Sequence, residues 1–104
     1  MKTKRRVKKK KTATKKHMVK NAKNSEYFFV KDGKAIKNII ELSNGLDKMT
    51  DDIFKHHVNE VKNDFANWIK DIFKEEKLAK ELFKTTDKDK TQIIILRYVI
   101  NKFK

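Results

Sequence analysis

Residues 51–73 read DDIFKHHVNEVKNDFANWIKDIF, placing Phe54, Val58, Val61, Phe65, Trp68, Ile69, Ile72 and Phe73 within 23 positions. Most intervals between these apolar residues are three or four, the spacing that lines side chains along one stripe of an α-helix. Lys, Asp, Asn and Glu fill the gaps, so the stretch is amphipathic and supplies the expected core of the fold. Thr50-Asp51-Asp52 marks a helix start, with Thr50 or Asp51 as N-cap and acids in the first turn, where the helix dipole favours negative charge. Ile53, Phe54, His57 and Val58 make the face of this helix, which the pattern ends near Asn59. Asn63 or Asp64 then caps a second helix carrying Phe65, Trp68, Ile69, Ile72 and Phe73. One continuous helix through Glu60-Val61-Lys62 is the alternative.

Upstream, Tyr27-Phe28-Phe29-Val30, then Lys31-Asp32-Gly33-Lys34, then Ala35-Ile36 reads as a short hairpin, because Asp-Gly supplies the positive φ angles of a two-residue turn. Ile36, Ile39, Ile40, Leu42 and Leu46 follow at helical spacing from about Lys37 to Lys48, with Gly45 placed to loosen or end the helix. Downstream, residues 75–83 form a short helix presenting Leu78, Leu82 and Phe83, and residues 85–90 are a polar connection. The last segment, Thr91 to Phe103, carries Ile93, Ile94, Ile95, Leu96, Tyr98, Val99, Ile100 and Phe103. Its β-branched richness argues for a strand. Its length, its lack of a breaker and a capping-box-like Asp89-x-x-Gln92 favour a helix instead. The expected fold class is mainly α (α+β): a short N-terminal β-hairpin, four to five short helices and a disordered basic N-terminal arm.

That arm is set apart by charge. The chain carries 28 Lys and Arg against 14 acids over 104 residues, a formal net charge of +14. Residues 1–24 hold twelve of the cations and no acid, leaving sixteen cations against fourteen acids over 25–104. A stretch with so little apolar surface and so much self-repulsion cannot offset the entropy of ordering itself. The division is therefore a basic arm, 1–24, and a small helical domain, 25–104. Cysteine and proline are absent, and glycine occurs only at Gly33 and Gly45. No disulfide or thiolate metal site is available, a composition that suits a reducing, cytoplasmic setting. No apolar run approaches the roughly 20 residues of a bilayer span. Lys-rich sequence up to Lys23 also leaves no room for the apolar segment of a secretory signal.

Phe54-x-x-His57-Val58, Asn63-Asp64-Phe65-Ala66-x-Trp68-Ile69 and Leu78-Ala79, preceded by Tyr27-Phe28-Phe29 and the Asp32-Gly33 turn, resemble a small, mainly archaeal domain family of unknown function. The likeness covers roughly residues 26–84 and leaves out the arm. It implies a compact helical domain of intracellular prokaryotic origin and no particular chemistry.

The candidate nucleic-acid-binding residues are Lys2, Lys4, Arg5, Arg6, Lys8, Lys9, Lys10, Lys11, Lys15, Lys16, His17, Lys20 and Lys23, with Arg97, Lys102 and Lys104 as a secondary set. Each cation that neutralises a phosphate releases condensed counterions, so a run of this kind favours polyanions. Ten lysines to two arginines suit diffuse phosphate neutralisation better than bidentate base reading. RNA, specifically ribosomal RNA in the company of ribosomal proteins, is favoured over DNA by analogy with Lys-rich extensions of ribosomal proteins. Chromatin-type DNA binders share the composition, and a third reading is a protein-interaction module whose arm meets an acidic partner. A membrane surface is disfavoured, since the arm lacks a bulky apolar face.

His56-His57 is the one pair that suggests chemistry. Neighbours on a helix point about 100° apart and cannot share one metal from one face. His57 therefore reads as a partly buried structural residue and His56 as an exposed one that meets phosphate when protonated. Asp64 reads as a helix cap before a general base, and Trp68 as core before a base-stacking surface. No nucleophile elbow, phosphate-binding glycine loop, zinc spacing or carboxylate pair stands out. The expectation is a non-enzyme without cofactor, metal or small-molecule substrate.

Overall fold

Lys31-Asp32-Gly33 turns the chain back on itself in the computed structural model, which describes residues 20–103. Strand β1 (Phe28–Phe29) pairs antiparallel with β2 (Ala35–Ile36), Phe28 opposite Ile36 and Phe29 opposite Ala35. The loop has three residues and not the expected two: Val30 donates its N–H to the Lys34 carbonyl at 2.9 Å, and Gly33 alone takes a positive φ, +95°. A two-residue turn of the Asp-Gly kind needs positive φ at both positions. Asp32 avoids that strain and instead accepts the Lys34 N–H at 3.0 Å.

Five helices follow, and side-chain caps explain where most begin. Helix α1 (Ile39–Lys48) starts after Asn38, whose Oδ1 accepts the Glu41 N–H at 2.7 Å, while the Glu41 carboxylate reaches back to the Lys37 N–H at 2.9 Å. Thr50 caps α2 (Asp51–His57) by accepting the Ile53 N–H at 3.3 Å, and Asn63 caps α3 (Asp64–Phe73) through Ala66 at 3.0 Å. Helix α3 ends on Lys74, whose φ of +58° closes it in the left-handed region. A short α4 (Glu76–Leu82) and the long α5 (Lys88–Phe103) complete the chain. The last segment is therefore helix. Its cap is Asp87, accepting the Lys90 N–H at 2.8 Å, and not the expected Asp89 pairing. Gln92 reaches α1 instead, donating to the Ser43 carbonyl at 3.0 Å and to Asp47 at 2.6 Å.

The alternative of one helix through residues 59–63 fails for a local reason. Asn59 folds its Oδ1 onto the N–H groups of Val61 and Lys62, at 2.9 and 3.3 Å, and Val58 and Asn63 face each other in an antiparallel bridge. Such Asn-centred turns compete with helix propagation for the same donors. Val61, placed in the core by its spacing, is swung outward to 91% exposure.

The core gathers Leu42, Leu46, Phe54, Val58, Phe65, Ile69, Leu82 and Ile95, all essentially inaccessible. Helix α5 packs on α1 and α4, and α3 packs on α4. Trp68 lies edge-on to Phe28 and Phe73, and its indole N–H donates to the Glu26 carbonyl at 2.8 Å. The folded body also reaches back before residue 25. Ala22 is buried and donates its N–H to the Lys37 carbonyl at 2.8 Å, while Asn38 donates to the Asn21 side chain at 2.8 Å. Asn21 and Ala22, grouped with the arm on charge alone, are thus held against the body by the burial of Ala22 and two hydrogen bonds.

Asn63 is buried and works on two sides, capping α3 with its oxygen and donating its Nδ2 to the Leu82 carbonyl at 3.0 Å. Asn63→Asp separates these roles, since Asp is an equally good cap but sets an oxygen against the Leu82 carbonyl. Leaving two buried acceptors opposed is expected to cost about 2–3 kcal/mol in thermal or denaturant unfolding at neutral pH. An unchanged midpoint would show that the α3–α4 bond carries no stability.

Candidate nucleic-acid interface

Among the arm candidates, Lys2, Lys4, Arg5, Arg6, Lys8, Lys9, Lys10, Lys11, Lys15, Lys16 and His17 lie outside the described residues, as does Lys104. Lys20 and Lys23 are exposed on the segment that runs into the body. Lys20 lies close enough to the α3–α4 junction for its charge to help lower the pKa of Glu75. Arg97 is exposed on α5, at the rim of a groove shared with Lys77, Leu78, Ile94 and Tyr98.

Lys102 is already partnered. Its ammonium sits 3.1 Å from the Glu75 carboxylate and over the Tyr98 ring, 5.6 Å from the centroid. Burial works to raise the Glu75 pKa, but the Tyr98 hydroxyl and the Lys102 ammonium outweigh it and hold the carboxylate below its usual range. The same pairing raises the Lys102 pKa, chiefly through Glu75. Lys102 is thus a fully charged residue whose field is largely satisfied within the chain. Lys20 and Lys102 both act on Glu75, and Arg97 shares the lining of its groove with Tyr98, the ring under Lys102.

His57 is buried, and both of its ring nitrogens are occupied. Its Nε2 accepts the Lys31 N–H at 3.0 Å, which requires the proton on Nδ1, and that nitrogen donates to Asp64 Oδ2 at 3.0 Å. Phe28 and Phe65 flank the ring at 5.1 and 5.3 Å between centroids. The imidazole is a strut joining the hairpin turn to α2 and α3, with no free nitrogen for a metal or a substrate proton. Asp64 also receives Lys62 at 2.9 Å. Burial alone would raise its pKa, yet the hydrogen bonds from Lys62 and His57 win and hold it low. An ionised, doubly bonded carboxylate is a poor general base. His56 is exposed, and its pKa is lowered, first by desolvation and then by His57, Lys31 and Lys62. That works against a protonated contact with phosphate.

One basic surface was not legible from the arm-centred reading. Lys70 near the end of α3, together with Lys77, Lys80 and the ring of Phe83 on and just after α4, line a groove of about 380 Å³ with Glu76 and Ala79. All three lysines are exposed, none forms an ion pair among the described residues, and Phe83 is 48% exposed. Phe83 was expected to present itself with Leu78 and Leu82. It is instead the residue on which α4 ends, where the helical stripe no longer faces the core. The available signal was Lys77, Lys80 and Phe83 at intervals of three, a face that α4 leaves to solvent.

Among the described residues, no group of three or more His, Asp or Glu side chains could hold a metal ion, and no helix is long and apolar enough to cross a membrane. Comparison with protein-family models, with curated proteins and with solved structures finds no match to this chain.

Proposed function

We propose that this protein binds RNA through its basic N-terminal arm, as a structural or accessory component of a ribonucleoprotein particle, with the ribosome the favoured setting and the cytoplasm the place of action. The observation that carries the reading is the distribution of charge. Residues 1–19 hold ten Lys or Arg and no acid, whereas 20–104 hold eighteen cations against fourteen acids. A body so nearly balanced adds little long-range attraction of its own, so the arm dominates the encounter with phosphates. Lysine excess supports backbone neutralisation over base reading. The occupied nitrogens of His57 support a non-catalytic role. The resemblance to an archaeal domain of unknown function is compatible with this role and adds no chemistry to it.

The test is a salt titration with competition. If 6–10 phosphates are engaged, affinity for ribosomal RNA falls by about 10³–10⁵ between 50 and 200 mM salt. Co-sedimentation with ribosomal subunits at moderate salt would support the ribosomal setting. Random duplex DNA competing at equal strength with ribosomal RNA would move the reading to a nucleoid-associated protein. Binding that ignores salt would overturn the electrostatic mechanism.

A further inference from the structure

The groove between the end of α3 and α4 combines three features. It has a half-exposed aromatic ring, Phe83, three exposed lysines, Lys70, Lys77 and Lys80, without carboxylate partners among the described residues, and a concave shape of about 380 Å³. That size lies within the roughly 300–1,000 Å³ typical of ligand sites. Glu76 is the one acid in its lining, so the groove is net cationic.

Its position matters as much as its content. The chain enters the body at Lys20, whose charge is felt at Glu75. Glu75 directly precedes Glu76, which lines the groove. The segment that carries the arm thus joins the body near the α3–α4 junction. Cationic side chains that track phosphates beside an aromatic ring that stacks on a base are the elements of single-strand recognition, and every base has a π-face to offer. A duplex keeps its bases stacked on one another and presents only phosphates to the ring.

We propose that this groove is a second contact for the same nucleic acid, specific for single-stranded RNA, with a base stacked on Phe83 and phosphates held by Lys70, Lys77 and Lys80. The proposal rests on the RNA-binding reading above and adds a strand preference to it. The arm supplies attraction without regard to strandedness. The groove makes the distinction.

The experiment uses the full chain and two labelled probes of equal phosphate number, a uridine single strand and a duplex RNA, followed by fluorescence anisotropy. Phe83→Leu keeps an apolar side chain while removing the π-face, and should weaken single-strand binding about tenfold, the scale of one lost base stack. It should leave duplex binding within twofold. The Lys70→Gln/Lys77→Gln/Lys80→Gln variant alters exposed positions only. It should flatten the single-strand salt dependence by about two units of slope, at about 0.7 per phosphate.

Single-strand binding unchanged in both variants, with binding still lost on removing residues 1–19, would overturn the groove and leave the arm reading standing. Equal loss on single strand and duplex in Phe83→Leu would also overturn it, since stacking would not be the cause. Absence of binding to either probe by the unaltered protein at low salt would overturn the RNA-binding reading itself.

Discussion

Removing residues 1–19 is expected to lower affinity for ribosomal RNA by on the order of a thousandfold or more at 50 mM salt, about 4 kcal/mol, while leaving the far-ultraviolet spectrum of the helical body unchanged. The deleted segment carries ten of the 28 cations and no acid. Each phosphate it neutralises contributes counterion release, and the body retains a small excess of charge that cannot replace it. The cut belongs after residue 19. Ala22 is buried, and its N–H is bonded to the Lys37 carbonyl, so a truncation at residue 24 would strip part of the body as well as the arm. Anisotropy measured with the truncated and full chains checks the expectation. Full binding by the truncated chain would shift the interface onto the helices and sink the arm as its source.

The largest effect on stability is expected at Phe65. The ring is fully buried, 4.9 Å from Phe28, 6.2 Å from Phe54 and 5.3 Å from His57 between centroids, so it joins the hairpin, α2 and α3. Phe65→Ala removes that junction and leaves a cavity, costing about 3–5 kcal/mol. Domains are stable by only about 5–15 kcal/mol, and small ones sit towards the lower end. Loss of more than about 12 °C in Tm is expected, at roughly 4–8 °C per kcal/mol for a domain of this size. Val61→Ser is the matched control: at 91% exposure it should stay within about 0.5 kcal/mol of the parent. A Phe65→Ala protein melting within a few degrees of the parent would mean that the core is organised around something else.

The contrast between Phe65 and Val61 shows what periodicity could and could not convey. Both fit a stripe of three- and four-residue intervals. What separates them is Asn59, whose side chain captures two backbone donors and stops α2, a competition decided by one hydrogen-bonded turn. Thr50 and Asn63 are readable as caps because a side-chain oxygen just before a helix is placed to accept one of the free N–H groups two or three residues on. Nothing local separates Asp87 from Asp89 as the cap of α5, since the two lie within the same polar stretch and only geometry tells which one meets Lys90. Length and the lack of a breaker favour the helical state of residues 91–103. Its tethers to α1 through Gln92 span more than forty residues and leave no local trace.

The candidate interface divides along similar lines. The arm is legible as composition, which needs no folding to be read. The groove by Phe83 is not, because Lys70 comes from a different helix and the exposure of Phe83 depends on where α4 stops. The strut at His57 lay between the two. Its burial followed from spacing, but its bond to the Lys31 N–H joins residues 26 positions apart.

Trp68 is the sole tryptophan, and its indole N–H is tied to the Glu26 carbonyl, four residues from the point where Ala22 enters the core. The molecule consequently carries an intrinsic optical reporter seated at the root of its charged leader. A ligand that displaces the Glu26 carbonyl lengthens or breaks this indole hydrogen bond and shifts the emission of unlabelled protein. Events at the phosphate-binding end can then be watched without attaching a dye.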